Sequence, residues 1–282
     1  MRRYGQYPLG WQQFGHLGLT STFGAFTPGE GVGGGWSPLT LFSGGEQGFW
    51  FDPSDLSSMF QDAAGTTPVT ATGDSVGLIR DKSGRANHAS QATGAFKPKL
   101  QQDGTGRYYL DFDGSDDGLV TSSINFSATD EMTTCGGIRK TSDAATGLVL
   151  ENSAAFSSNT GTFAVFAPPA GGNTNLGYFS RGTASSSPSR LLGAAPVTAV
   201  VGARSKISTD YAEARVNGVG SVAVTDQGTG NYGNYAVYIG RRGGASLPFS
   251  GRMYPLVLRG KATDDATMAL LETYINSKTG AY

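Results

Sequence analysis

Short apolar segments recur from Phe49 onward, about 10 to 20 residues apart, and each is bounded by turn-forming residues. In the segment 107–114, RYYLDFDG, the even positions Tyr108, Leu110 and Phe112 are apolar, and the odd positions carry two aspartates. Alternation with a period of two is typical of a strand that has one face in a core and the other towards solvent. The segment therefore predicts a half-buried strand.

Seven further segments have glycine, asparagine, serine or proline at or near their ends: GLVLENSA, GTFAVFAP, NLGYFSRG, AVVGARS, AEARVNGVGSVAV, NYAVYIGRR and GRMYPLVLRG. Within the fifth of them, Asn217-Gly218 predicts a hairpin turn, because both central positions of such a turn need a positive φ. Many short strands with no helices between them predict an antiparallel β-sandwich.

The final segment differs, because its apolar residues recur at helical spacing. Thr263 is a residue type that caps helices, acidic residues follow it, and Gly280 is a residue type that ends them. One face carries four apolar side chains: Met268, Leu271, Tyr274 and Ile275. We expect this single C-terminal helix to dock on the sandwich through that face.

Residues 1–45 have a different composition, with glycines every few residues and single aromatic residues between them: Tyr4, Tyr7, Trp11, Phe14, Phe23, Phe26, Trp36 and Phe42. No helical or strand period is sustained there. Disordered tails are poor in aromatic residues, so we predict an extended attachment arm whose aromatic side chains are buried against other chains. The alternative is a leader with a few buried rings. The predicted division is an arm over residues 1–45 and a jelly-roll domain over residues 46–282.

Charge and composition exclude several classes of protein. The 282 residues include 21 Lys and Arg against 22 Asp and Glu, which is no footprint of a nucleic-acid-binding protein. No apolar run is long enough to span a membrane, so membrane insertion is not expected. Cys135 is the single cysteine, which rules out an intrachain disulfide, and His16 and His88 are the only histidines. Residues 1–20 lack the apolar core of a signal peptide, so we expect assembly in a cytoplasm.

Five segments resemble, in order, parts of a known family: FWFDPSDLSSMFQD, DKSGRANHASQAT, YYLDFDGSDDGLV, VYIGRRGG with FSGRMYPLVLRG, and TDDATMALLETYINSKTG. They are similar to the laminin-G-like, concanavalin A-like lectin domain, in the variant common in virion proteins of tailed bacteriophages. The resemblance covers about residues 48–282. It implies an all-β, two-sheet jelly roll that frequently binds sugar and frequently serves only as a packing module.

Four aspartates lie close together at the end of the predicted strand 107–114 and just after it: Asp111, Asp113, Asp116 and Asp117. A catalytic pair would need a raised carboxyl pKa, and the resemblance would require glutamate spacings that the chain lacks, so no hydrolytic activity is expected. A calcium site would use Asp113, Asp116 and Asp117, whose oxygens suit that ion, and the resemblance implies calcium at the rim of some family members. The interpretation that we favour is a bend in which Asp113 and Asp116 accept backbone N–H bonds.

Six residues are candidates for ligand binding: Asp81, Asn87, His88, Tyr232, Tyr235 and Arg241. The first three would present a polar rim to a sugar, although His88 more often closes a hydrogen-bond network between loops. The two tyrosines lie in a Gly- and Asn-rich segment where stacking on sugar is plausible. Arg241, with Arg242 beside it, would contact an anionic polysaccharide or simply end a solvated strand.

Two classes of function remain open. In the first, the chain is a bacteriophage virion structural protein, anchored by its arm, that displays the sandwich as a tail fibre, tail tip or spike and adheres to host surface polysaccharide. A homotrimer is then expected, since trimers are common among such fibres. The alternatives are a capsid decoration protein without sugar binding, and a free carbohydrate-binding protein or glycan hydrolase.

Overall fold

Two antiparallel sheets and one α-helix make up the regular structure in the computed structural model, which describes residues 35–243 and 246–282. The strands of the first half are β1 Gly48–Phe51, β2 Met59–Phe60, β3 Leu78–Ile79, β4 Ala89–Ser90, β5 Lys99–Gln102, β6 Tyr108–Asp113, β7 Leu119–Asn125, β8 Glu131–Lys140 and β9 Leu148–Asn152. Those of the second half are β10 Thr162–Phe166, β11 Asn175–Arg181, β12 Ser185–Ser186, β13 Ser189–Leu191, β14 Val197–Lys206, β15 Tyr211–Val216, β16 Val219–Ala223, β17 Asn234–Ile239 and β18 Ser250–Arg259. The helix α1 spans Asp265–Thr279, and short 3-10 helices lie at Pro38–Phe42, Leu56–Ser58, Gly94–Phe96 and Ile207–Thr209.

The strand order confirms the predicted sandwich. One sheet has eight strands in the order β16-β15-β14-β8-β18-β6-β5, with β1 paired to β18. The other has ten strands in the order β12-β11-β10-β9-β17-β7-β4-β3-β2, with β13 paired to β11. The hairpin between β15 and β16 turns at Asn217 and Gly218, which have φ values of 49° and 80° as predicted. The strands at the centre of each sheet pair with strands that are distant in the sequence, such as β8 with β14 and β18 in one sheet and β17 with β7 and β9 in the other, as in a jelly roll.

The main core lies between the two sheets. On β6 the side chains of Leu110 and Phe112 are buried in it, and Tyr108 packs against it from a partly buried position. Tyr109 faces the other side of the sheet, where its ring lies 5.6 Å from that of Tyr254. The alternation read from the sequence is therefore confirmed for this strand.

Helix α1 covers the outer face of the eight-stranded sheet. Its Met268, Leu271 and Ile275 are fully buried against β8, β14 and β18, and Tyr274 packs beside them. This is the predicted face. The N-cap is Asp264, one residue later than Thr263, because the Asp264 carboxylate accepts a bond from Thr267 N–H at 2.8 Å. Gly280 follows with a φ of 64°.

The compact unit begins at residue 36, about ten residues earlier than the predicted boundary. Leu41 and Phe42 are buried in the same cluster as α1, and the Trp36 ring lies 6.3 Å from that of Tyr274. Trp36 and Phe42 thus pack on their own chain, which corrects their assignment to an arm buried on other chains. The other predicted arm aromatics lie outside the described residues: Tyr4, Tyr7, Trp11, Phe14, Phe23 and Phe26.

The outer face of the ten-stranded sheet carries a small apolar cluster separate from the main core. Its buried members are Leu148, Ala164 and Phe166, and Phe179 packs against them from a partly buried position. This face holds the groove described next. Over the described ranges, no helix is both long and apolar enough to cross a membrane.

Candidate functional site

A row of side chains crosses the centre of the ten-stranded sheet on its outer face. Glu151 on β9 lies opposite Ala164 on β10 and opposite Tyr238 on β17, and Ala164 lies opposite Phe179 on β11. Directly opposed residues of antiparallel strands share a face. These four side chains, three from consecutive strands and one from the distant β17, are therefore neighbours on the side that faces away from the main core.

An open groove of about 480 Å³ lies at one end of this row, where Phe179 lines it, and its floor and walls are largely apolar. The Phe156 ring lies 5.2 Å from the Phe166 ring and 4.6 Å from the Phe179 ring, in edge-to-face arrangements. Polar groups stand around these rings, at Thr146, Asn173, Ser187, Ser189 and Arg242. An apolar concavity of this size with a few polar groups at its edge is the usual form of a small-ligand site.

The loop that carries Phe156 is held by hydrogen bonds from both sides. Phe156 N–H donates to Glu151 Oε1 at 2.6 Å, and Thr162 Oγ1 donates to the Phe156 carbonyl at 2.8 Å. Both partners belong to the strands that flank the loop, β9 and β10. The position of the Phe156 ring is thus set by the sheet.

Arg242 stands at the edge of the groove and is oriented by two contacts. Its Nε donates to Glu151 Oε2 at 3.1 Å, and its guanidinium lies 4.6 Å from the centre of the Phe156 ring. Glu151 is fully buried. Burial raises the pKa of the Glu151 carboxyl, while the bonds from Phe156 N–H and Arg242 act against that rise. The ion pair and the ring together hold a guanidinium in one orientation.

Asp81, Asn87 and His88 form the hydrogen-bond network that was the alternative to a sugar-binding rim. The Asp81 carboxylate accepts bonds from the backbone N–H groups of Trp50, Ser83 and Asn87 at 2.8–3.0 Å. Asn87 Nδ2 donates to the Gly48 carbonyl at 2.6 Å, and Asp81 N–H donates to His88 Nδ1 at 3.0 Å. The polar atoms of these loops therefore hold β1 in place, away from the groove.

The two candidate sugar-stacking tyrosines differ in their exposure to solvent. Tyr232 is only 1% exposed, and its hydroxyl lies 2.6 Å from both Ser180 Oγ and Ser205 Oγ in the interior. Its ring is closed to a ligand from solvent, which corrects the prediction of sugar stacking. Tyr235 is half-buried, and its hydroxyl donates to the Thr160 carbonyl at 3.2 Å.

The acidic bend after β6 has the hydrogen bonds expected of a bend. Asp113 Oδ1 accepts from Ser115 N–H at 2.8 Å and from Asp116 N–H at 3.3 Å. Asp117 Oδ2 accepts from Asp113 N–H at 3.0 Å, a role that the sequence assigned to Asp116. Asp113, Asp116 and Asp117 also bring oxygens to within 4.8 Å of one another, so these three are the residues that would hold a calcium ion. Asp111 lies two residues before Asp113 on β6, and burial raises its pKa.

Asp117 gives this bend a pH dependence. Burial, with the nearby carboxylates of Asp113, Asp116 and Asp111, raises the pKa of Asp117 to about 6 against an ordinary value of 3.8, and the bond from Asp113 N–H only partly offsets it. Between those two pH values the folded chain binds a proton that the unfolded chain does not. The free energy of unfolding should therefore fall as pH rises through about 4 to 6.

Asp117→Asn should remove this loss, because the amide oxygen still accepts the bond from Asp113 N–H and carries no charge. Above pH 7 and without divalent ions, the variant should be more stable than the parent by on the order of 1–3 kcal/mol, with the difference vanishing near pH 4. Urea unfolding from pH 4 to 8 measures it, with Asp116→Asn as the control. A less stable variant at pH 8 would contradict the prediction. Stabilisation of the parent alone by added calcium would indicate that the bend holds this ion.

The two-sheet sandwich has a concanavalin A-like lectin fold, and solved structures of low identity share it. It is similar to the receptor-binding domain of botulinum neurotoxin D, with 10% identity, a TM-score of 0.51, and coverage of 70% of this chain and 50% of that one. A structure of botulinum neurotoxin type C, whose cell entry is described as dependent on interaction with two ganglioside molecules, is 9% identical with a TM-score of 0.53. The match covers 82% of this chain and 51% of that one. The ligand-binding domain of botulinum neurotoxin D in complex with N-acetylneuraminic acid is 10% identical to this chain, with a TM-score of 0.53. The match covers 72% of this chain and 48% of that domain.

This chain thus spans about half the length of the neurotoxin domains that it resembles. At this level of identity the likeness establishes the fold. No protein-family model and no curated protein matches the sequence.

The groove itself was missed by sequence reasoning, although one feature pointed to it. On β10, the run TFAVF has apolar residues on both faces, with Phe163 and Val165 in the main core and Ala164 and Phe166 in the outer cluster. A strand with one face in water should alternate, so an unbroken apolar run indicates that the second face is also covered or binds something.

Proposed function

We propose that this chain is a carbohydrate-binding module and that its ligand lies in the groove lined by β10, β11 and the loop that carries Phe156. The observation that carries the proposal is the cluster of Phe156, Phe166 and Phe179 in an open concavity on the outer face of the ten-stranded sheet. The C–H face of a sugar ring is apolar and flat, so it loses little by leaving water for an aromatic surface. A sugar's hydroxyl groups then need donors and acceptors around that surface.

Polar side chains stand where those hydroxyl groups would point. Asn173, Thr146 and Ser187 line the groove around the apolar floor, and Arg242 is held in a fixed orientation by Glu151. A few oriented polar groups around an apolar floor supply orientation and specificity. Two of the structurally similar domains are described with glycan ligands, N-acetylneuraminic acid in one and gangliosides in the other. This supports the class of ligand, whereas the location of the site rests on the groove alone.

The test uses the full chain on a panel of immobilised neutral and acidic oligosaccharides, followed by calorimetry with those that bind. Phe179→Ala should weaken binding at least about tenfold, because it removes an aromatic wall of the groove, and tenfold corresponds to about 1.4 kcal/mol. Phe179 is only partly buried, so the fold should persist. Leu191→Ala, which changes an apolar residue that is 66% exposed outside the groove, is the matched control. Binding that is indifferent to Phe179→Ala would contradict the proposal.

We propose, as the setting of this module, a bacteriophage virion in which the segment before Trp36 attaches a homotrimer to other virion proteins. The support is the composition of that segment: glycines with six isolated aromatic residues, Tyr4, Tyr7, Trp11, Phe14, Phe23 and Phe26. Ordering a chain costs about 1–2 kcal/mol per residue, and buried aromatic rings on other chains would offset part of that. A decoration protein of the capsid without sugar binding is the alternative, and host surface polysaccharide is the partner of the groove in the first case.

Deleting residues 1–34 separates attachment from folding, because Trp36, Leu41 and Phe42, which pack on the sandwich, are retained. The truncated chain should unfold at the temperature of the parent, bind the same glycans and fail to enter particles. Particle incorporation is measured by mass spectrometry of purified virions from a complementation assay. Normal incorporation of the truncated chain would refute the attachment role.

A further inference from the structure

Two consecutive arginines, Arg241 and Arg242, follow β17 beside the groove. Together with Gln91, Gly118 and Tyr238 they line a second, smaller cavity of about 80 Å³. Arg242 lines both this notch and the main groove. A ligand in the groove therefore has an arginine-lined notch at its side.

Each arginine has a nitrogen that is shielded from solvent and lacks a hydrogen-bond partner within the described ranges, Nη1 of Arg241 and Nη2 of Arg242. Buried donors on charged groups are costly when left without acceptors. The rest of each side chain is held in place, since Arg241 lies 4.6 Å from the centre of the Phe96 ring and Arg242 is bonded to Glu151. The unpartnered nitrogens are thus presented by two fixed guanidinium groups.

The charge around the notch is also unbalanced. Of the described residues that line the notch or the groove, the ionisable charged side chains are these two arginines, and none is a carboxylate. Glu151 lies beneath Arg242 and offsets one positive charge. One positive charge and two unpartnered donors therefore remain in the side chains that line the notch, which favours a ligand with an anionic oxygen group.

We infer that the notch between Arg241 and Arg242 binds an anionic group of the glycan, a carboxylate or a sulfate ester, while the sugar ring lies on the phenylalanines of the groove. The inference rests on the proposed function for the identity of the ligand, and on the arginines for its charge. Planar or tetrahedral oxyanions accept paired bonds from guanidinium groups, so the anionic group would occupy the unpartnered nitrogens. The ligand is then an acidic polysaccharide.

The experiment compares matched acidic and neutral probes on the full chain by calorimetry. Oligogalacturonate against its methyl ester tests the carboxylate, and sulfated against unsulfated galactan oligosaccharides tests the sulfate ester. At least one acidic probe should bind about tenfold more tightly than its neutral partner. Arg241→Gln should abolish this difference, and added sodium chloride should weaken only the acidic probe, because exposed charge attraction is screened by salt.

Arg252→Gln is the matched control, because Arg252 also stacks on an aromatic ring, at 4.4 Å from the centre of Tyr109, but on the other sheet. It should leave the difference between the probes unchanged. The role of Arg242 is tested by combining Arg242→Gln with Glu151→Gln in the same chain, so that no buried carboxylate is left without its partner. This double variant should also lose the preference for the acidic probe.

A titration with sodium sulfate and with sodium acetate, followed by NMR of the arginine side chains, tests the notch without any sugar. Saturable shifts at Arg241 and Arg242, lost in Arg241→Gln, are expected for at least one anion. If neither anion binds saturably and acidic probes bind no better than neutral ones, the inference is overturned. Neutral probes that still depend on Phe179 would then leave the carbohydrate-binding proposal standing. Anion binding without any glycan binding would instead refute that proposal and keep the notch.

Discussion

Leu271→Ala is expected to lower the free energy of unfolding by about 2–5 kcal/mol, the usual range for truncating a fully buried leucine. Leu271 lies at the centre of the face with which α1 covers the eight-stranded sheet, and it has no solvent exposure. The loss combines the transfer of the removed methyl groups with the cavity left between helix and sheet, beside the buried Met268 and Ile275. Urea unfolding followed by tryptophan fluorescence measures it.

The adjacent residue supplies the control. Leu270 is 43% exposed on the same helix, so Leu270→Ala should change stability by less than about 0.5 kcal/mol. Equal effects of the two substitutions would mean that the helix does not dock through the predicted face.

Glu213→Ala is expected to cost about 3–5 kcal/mol, because it leaves two shielded arginines short of a counter-charge. The Glu213 carboxylate lies 2.7 Å from Arg204 Nη2 and 2.8 Å from Arg215 Nη1, and its side chain is only 5% exposed. Arg215 continues the network to Glu272 on α1, at 2.8 Å. The hydrogen bonds that Arg215 donates to Glu272 are the first cause that holds the pKa of Arg215 above its ordinary value, so the arginine stays charged when Glu213 is removed.

Asp265→Ala is the matched control, since Asp265 pairs with the same Arg204 at 2.7 Å but its side chain is 91% exposed. Exposed ion pairs contribute about 0–1 kcal/mol, so this variant should stay close to the parent. Thermal unfolding of the two variants at neutral pH makes the comparison. A cost for Asp265→Ala that equals that of Glu213→Ala would show that burial is not the cause.

The contacts that Leu271 and Glu272 make show which outer face of the sandwich the helix covers. Helix α1 packs on the outer face of the eight-stranded sheet. Leu271 contributes to its apolar face, and Glu272 forms an ion pair with Arg215 of the sheet. Among the residues that the structure describes, no helix packs on the ten-stranded sheet over Phe166 and Phe179. The groove and the arginine notch lie on that outer face.

Much of the fold could be predicted because its determinants are local. The alternation on β6, the hairpin at Asn217-Gly218 and the apolar face of α1 are each contained within a few consecutive residues. The same holds for the bend at Asp113, whose bonds go to the next few backbone N–H groups. The helix cap was misplaced by one residue, since Thr263 and Asp264 are both capping residue types.

The candidate site could be predicted only in part. Arg241 was identified from its sequence neighbours, whereas Tyr232 was assigned to the surface from a Gly- and Asn-rich context and is in the core. Phe156 and Phe179 gave no local indication of a site. They are 23 positions apart, and they meet because β9, β10 and β11 are neighbours in the sheet.

The sequence by itself indicated where many of the strands, the β15–β16 turn and the helix lie, although it gave no prediction for the central strand β8. It also indicated which side chains of a predicted strand share a face, because a period of two is a property of a single strand. Only the tertiary structure decided which face of each strand is turned to the core and which side chains oppose one another. Arg242 meets Glu151 across 91 positions, in a pairing of β17 with β9. Such pairings are set by the summed burial of both sheets, so no single segment of the chain contains the information that places its polar and aromatic groups in one site.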